Sequence, residues 1–202
     1  FGIGSHYNAQ VIFSGDSIVA GFQINDYDLS GTDDRERSWP FQLQLDLGRS
    51  DICYQNAGVA SQTAAQCVLR DTNRLDTLLM TGVTNVAVMA AGINDIALGT
   101  TANALWQQAT NWSASRHRAG WNKTVVVDLI PCASVTGGAE TYRIAYNALV
   151  AANWSTWFDG YVPASTNTWT APAFQSDVIH PSAAGRALFS ATAIDQLRSL
   201  LP

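Results

Sequence analysis

The sequence predicts an α/β fold in which a mostly parallel central sheet is covered by helices on both faces. Strand-like apolar runs alternate with helix-length stretches along the whole chain, as in repeated strand–helix–strand units. The run Val86-Ala87-Val88-Met89 is continuously apolar, as expected of a strand buried on both faces. At 202 residues and 47% hydrophobic content, the chain has the size of one compact domain, 1–202, with a sizeable core.

Up to about residue 10 no pattern stands out, and His6 reads as a surface residue. Val11-Ile12-Phe13 is the first strand, and Ile18-Val19-Ala20-Gly21 opens a helix after it. Residues 25–38, rich in Asp, Arg and Gly, read as a long surface loop of the kind that borders sites. Trp39-Pro40 starts an amphipathic helix with Phe41, Leu43, Leu45 and Leu47 as apolar surface and Gly48 as its end. A second strand is expected at 51–55. A helix over 61–80 would turn Ala65, Val68, Leu75, Leu78 and Leu79 to one face, stopped by Gly82. Strands at 85–89 and 125–130 bracket a helix over 101–118. A helix over 139–152, a short strand at 158–162 and a closing helix over 182–201 complete the pattern. The closing helix carries Leu188, Ala191, Ile194, Leu197 and Leu201 as apolar positions.

A formal charge of −5 and a pI near 4.9, without clustered Lys and Arg, argue against a nucleic-acid partner. Arg116-His117-Arg118 reads as a solvated helix end. No apolar stretch approaches the ~20 residues that cross a bilayer. The start at Phe1 fits a mature product after signal removal and equally a trimmed or disordered start; a secreted or periplasmic location is the expectation. Three cysteines allow at most one disulfide within the chain. Cys53 reads as a small buried residue, and Cys67 reaches it only if the helix after Gly58 folds back beside its strand. Neither spacing nor histidine partners suggest a zinc site, and no cofactor is implied. Asn111-Trp112-Ser113, Asn122-Lys123-Thr124 and Asn153-Trp154-Ser155 match glycosylation acceptors, a match common by chance.

Four short stretches remain: Gly15-Asp16-Ser17, Asn56-Ala57-Gly58, Gly92-Ile93-Asn94-Asp95 and Asp177-Val178-Ile179-His180. Each follows an apolar run or precedes the last helix. The topology therefore gathers them at the carboxyl edge of the sheet, where open α/β sheets bind ligands. A serine on a strand-to-helix turn is usually only a cap, but the four stretches in this order form a specific pattern. In them the chain resembles the SGNH hydrolases, also called the GDSL esterases and lipases, from Phe13 to His180, with Ile18 in place of the leucine of the family name. The resemblance implies a three-layer flavodoxin-like α/β/α sandwich and a carboxylic-ester hydrolase. The α/β-hydrolases share the order Ser, acid, His, but carry G-x-S-x-G, which Gly15-Asp16-Ser17-Ile18-Val19 lacks.

On this reading Ser17 attacks the acyl carbon and His180 takes its proton and returns it to the leaving alcohol. Asp177, three residues before His180, fixes the imidazole tautomer. The resemblance assigns the oxyanion donors to the Ser17 and Gly58 backbone N–H groups and the Asn94 side chain. Asp16, Asn56 and Asp95 read as loop-holding residues. His6 and His117 have no acidic residue at catalytic spacing. Trp154, Trp157 and Trp169 either stack on a sugar ring or, the more favoured reading, fill the core.

The expected substrates are small-molecule or carbohydrate esters with a short acyl group, acetyl first. A lipid-directed lysophospholipase or thioesterase and an acyltransferase use the same chemistry. A carbohydrate-binding module that keeps the fold without the reaction is the non-enzymatic alternative.

Overall fold

The structure, a computed structural model, describes residues 7–24 and 31–202. Strand β1 (Ala9–Gly15) leads through the four-residue helix α1 (Ser17–Ala20) into a two-stranded antiparallel ribbon, β2 (Phe22–Ile24) and β3 (Gly31–Asp33). There follow α2 (Trp39–Leu47), β4 (Ile52–Asn56), α3 (Ala64–Asn73) and β5 (Thr84–Ala90). The second half holds α4 (Ile93–Ala97), α5 (Ala102–Ala119), β6 (Lys123–Val127), α6 (Gly138–Trp157), β7 (Gly160–Val162) and α7 (Ala183–Leu200).

Five strands pair in the order β4-β1-β5-β6-β7, every pair parallel. Side-chain alternation along β1 sends successive residues to opposite layers. Phe13 meets Trp39 of α2 edge to face at 5.2 Å, and Trp39 stacks on Phe189 of α7 at 5.1 Å. Ser14 points the other way, toward Asp71 of α3, which also accepts from Trp112 Nε1 of α5 at 2.8 Å. Helices α2 and α7 thus cover one face, and α3, α5 and α6 the other. This is the three-layer α/β/α sandwich that the sequence implies. Among the described residues, no helix is long and apolar enough to cross a membrane.

Several details depart from expectation. The stretch 25–38 holds β3 and a 3-10 turn at Arg35–Arg37 instead of one loop; residues 25–30 and His6 lie outside the described residues. Helix α3 stops at Asn73, followed by a 3-10 turn at Asp76–Leu78, and its inward face is Ala64, Cys67 and Asp71, continued by Leu75. Ala65 is exposed, as is Leu78. An apolar count misses that face because Asp71 is compensated by Arg70 (Nε to Oδ1, 2.9 Å), Ser14 and Trp112. In α2 the buried face is Trp39, Pro40, Leu43 and Leu47, while Leu45 is 57% exposed. The fourth sheet strand ends at Val127, and α6 runs on to Trp157. In α7 Phe189 and Ala193 are buried while Ala191 is exposed.

All three cysteines are free thiols. Cys53 is half-buried beside Gln55, and buried Cys67 faces Gln62 Oε1 at 3.7 Å, so no bridge joins them. Arg116 is no solvated residue: its guanidinium is buried, pairs with Asp76 at 3.1 Å and lies 5.9 Å over the Trp112 ring. His117 and Arg118 do remain exposed.

Candidate active site

The site starts where β1 runs out. Asp16 is the N-cap of α1: its carboxylate accepts from the Ile18 N–H at 2.9 Å and its carbonyl from the Ala20 N–H at 2.9 Å. Ser17 is therefore the first helical residue, and helix geometry leaves its N–H without an intrahelical partner. Its hydroxyl stands 2.8 Å from His180 Nε2.

His180 arrives on a short turn between the end of β7 and α7. Phe174 and Pro181 form an antiparallel bridge, and the Gln175 N–H donates to the His180 carbonyl at 2.8 Å, which closes the turn. Inside it, Asp177 Oδ1 accepts from the N–H groups of Ile179 (2.9 Å) and His180 (3.1 Å), and Oδ2 lies 2.5 Å from His180 Nδ1. Burial pushes the Asp177 carboxyl up, but bonds from the imidazole and the two N–H groups outweigh it and hold the carboxyl below its ordinary value. An ionised Asp177 keeps the proton on Nδ1, so Nε2 is left to accept from the Ser17 hydroxyl. Phe22 packs on the imidazole with ring centroids 4.7 Å apart, and Gln175 Nε2 donates to the Phe22 carbonyl at 2.8 Å. The ribbon after Ser17 is thus tied to the turn that carries His180.

Asn94 approaches from β5. Gly92 bends the chain with φ 133°, and Asn94 is the second residue of α4. Its side chain donates one hydrogen to the Gln62 carbonyl at 2.9 Å and retains a second donor. Next to it, buried Asp95 accepts from the Ala64 N–H at 2.8 Å; burial raises its carboxyl above the usual range. Both residues therefore grip the segment that follows β4. Arg70 reinforces this grip by bonding the Gln62 side chain.

Gly58 is placed differently from its expected role. Its N–H donates to Asn56 Oδ1 at 2.9 Å and is not available as an oxyanion donor in this arrangement. A Cβ there would overlap the Ala20 nitrogen and come within 2.8 Å of the Val19 carbonyl carbon. The glycine serves close packing against helix α1. Asn56 completes the support, donating to the Val19 carbonyl (2.6 Å) and Ser38 Oγ (3.0 Å).

The other sequence candidates fall elsewhere. Trp169 packs against Phe174 and Phe189 and donates to the Ala164 carbonyl at 2.8 Å. Trp154 sits half-buried near Tyr161. Trp157 ends α6 at the amino edge of the sheet, away from Ser17, where its carbonyl accepts from Ser113 Oγ at 2.5 Å. His117 does have an acidic neighbour, Asp159 at 3.4 Å, which spacing along the chain concealed. Asp159 and buried Thr124 approach the same ring nitrogen, so this cluster has no relay geometry. Phe22, Gln62 and Gln175 border the site without any signal in the sequence. Their roles depend on contacts between distant segments.

A hydroxyl, an imidazole and an ionised carboxylate in line, beside unspent N–H donors, can form and break an acyl bond to oxygen. The model of the GDSL-like lipase/acylhydrolase family matches residues 13–188. Among solved structures, TesA superposes with a TM-score of 0.74 at 20% identity, covering 95% of this chain and 99% of that one. A carbohydrate acetylesterase family member from Sinorhizobium meliloti gives 0.74 at 18%, covering 95% and 98%. The native aryl esterase of M. smegmatis gives 0.74 at 17%, covering 95% and 99%. No curated protein sequence matches the chain significantly. With the family model spanning the end of the strand that precedes Ser17, all four blocks and the start of the closing helix, the chain belongs to the GDSL-like lipase/acylhydrolase family and is a carboxylic-ester hydrolase.

Proposed function

We propose that the protein is a serine esterase acting on esters with a short acyl group, acetyl above all. Ser17 is the nucleophile, His180 the general base and acid, and Asp177 the residue that orients and stabilises the imidazolium. The observation that carries this reading is the unbroken line from Asp177 Oδ2 to His180 Nδ1 (2.5 Å) and from His180 Nε2 to Ser17 Oγ (2.8 Å). As Ser17 Oγ bonds the acyl carbon, its proton passes to Nε2 and then to the leaving alcohol. Water repeats the sequence to release the acid. The tetrahedral intermediate places charge on oxygen, and the Ser17 N–H and the second hydrogen of the Asn94 amide are the donors that meet it.

Acetylated carbohydrate is the proposed natural class, a reading supported by the fold shared with the acetylesterase family member. The tryptophans lend it nothing.

The test uses 4-nitrophenyl esters from acetate to decanoate, acetylated sugars, and a serine-directed phosphonate. Ser17→Ala should abolish turnover and labelling while the circular dichroism spectrum is retained, and the rate should fall as the chain lengthens. Labelling of another serine, or full activity in the variant, overturns the assignment. Rates that climb with chain length point to the lipid-directed reading, and ester formation with an added alcohol to the transferase.

A further inference from the structure

Among the described residues, only two that are not glycine have a left-handed backbone, Ser61 (φ 62°) and Val178 (φ 56°). Both flank the site. Ser61 precedes Gln62, whose carbonyl holds Asn94, and Val178 stands between Asp177 and His180. For serine the conformation is uncommon; for a β-branched side chain it is an outlier, because the branched Cβ crowds its own backbone.

Nothing in the fold requires a valine at 178. The turn needs the backbone there: the Val178 N–H donates to the Gln175 carbonyl at 3.0 Å, and its carbonyl accepts from the Ala133 N–H at 3.0 Å. Glycine would make both bonds without crowding. Burial does not offset the strain either, since Val178 is 45% exposed. An exposed apolar group held at a cost to the fold, two residues from the base, fits the way strain gathers where it serves a site.

We infer that the Val178 side chain is a substrate contact, an apolar wall for the alkyl or aryl group next to the scissile ester, and so a determinant of specificity. The inference rests on the esterase reading above. Its chemistry is shared by the acyl and the alcohol side of the ester, and the measurement separates them.

The experiment compares wild type with Val178→Ala, Val178→Asn and Val178→Gly. One series holds acetate fixed and enlarges the alcohol from methyl through benzyl; the other holds 4-nitrophenol fixed and enlarges the acyl group from acetyl to butyryl. For the side that Val178 touches, kcat/KM on the larger esters should fall about tenfold or more relative to the smallest ester, mainly through KM. Glycine and asparagine, which tolerate the left-handed region, should leave the melting temperature unchanged or raise it by a few degrees, roughly. A uniform fall in kcat across all esters, with their ranking kept, would mean that Val178 merely stiffens the turn and overturns the proposal. Unchanged kinetics in a more stable variant overturns it too. If wild type cleaves no ester and Ser17 is not labelled, the esterase reading fails first and takes this one with it; an active wild type with unselective variants sinks only the present inference.

Discussion

Phe22 lies against the His180 imidazole at 4.7 Å between ring centroids, with 39° between their planes, although it belongs to the ribbon that follows the nucleophile helix. The ring closes one side of the base and limits its swing away from Ser17. Phe22→Ala should lower kcat between about 10- and 100-fold with a smaller change in KM, since a misplaced base costs in the chemical step. Steady-state kinetics on an acetate ester decide it. An unchanged kcat means that Asp177 alone fixes the imidazole.

Asn94 spends one N–H on the Gln62 carbonyl and keeps a second, which is the proposed oxyanion contact. Asn94→Ala should reduce kcat by about 10²–10³ while KM changes little, as for the loss of one oxyanion donor. Asn94→Asp should be at least as damaging, because it places a carboxylate where negative charge develops. If both retain wild-type turnover, the anion is stabilised by other groups.

The absent side chain of Gly58 is filled by the backbone of Val19 and Ala20. Gly58→Ala should therefore destabilise the fold by about 1–3 kcal/mol, the range for overpacking, and also reduce activity by displacing the nucleophile turn. Thermal denaturation followed by ester kinetics on the folded fraction measures both. An unaltered melting temperature would show that α1 yields without cost.

Asp16 is 1% exposed, and burial, aided by repulsion from Asp95 and opposed by the Ile18 N–H, pushes its carboxyl up from 3.8 to about 7. Folding thus favours the protonated acid. The associated stability is complete below the unfolded value of 3.8 and is lost as pH rises through about 7. Asp16→Asn keeps an acceptor for the Ile18 N–H but cannot ionise. Its melting temperature should fall less steeply than that of wild type across this window; identical slopes would assign the dependence to Asp95 and other groups.

Much of the fold is legible in the sequence because parallel strands must be apolar along their length. The strands at Thr84–Ala90 and Lys123–Val127 stand out for that reason. What is not legible is compensated polarity and distant pairing. Asp71 and Arg116 occupy core positions that pattern reading assigns to apolar side chains, each made tolerable by partners 40 or more residues away. The block residues Ser17, Asp177 and His180, which the structure brings together, are visible because the chemistry proposed for them demands fixed spacing within each block. The packing of Gly58 on α1 is not legible for the complementary reason: a glycine required for contact looks the same in a sequence as one that exposes its N–H. Phe22 and Gln175 could not be found at all, since their contacts span more than 150 residues.

Ser17 opens the helix that follows the first strand of the sheet, and His180 lies in the turn before the last helix, 163 residues later. On the proposed mechanism, hydrolysis begins only after the final segment has docked, with Phe189 seated on Trp39. In a renaturing sample, turnover becomes a clock for the last step of assembly: its recovery cannot precede the change in tryptophan fluorescence that marks that stacking.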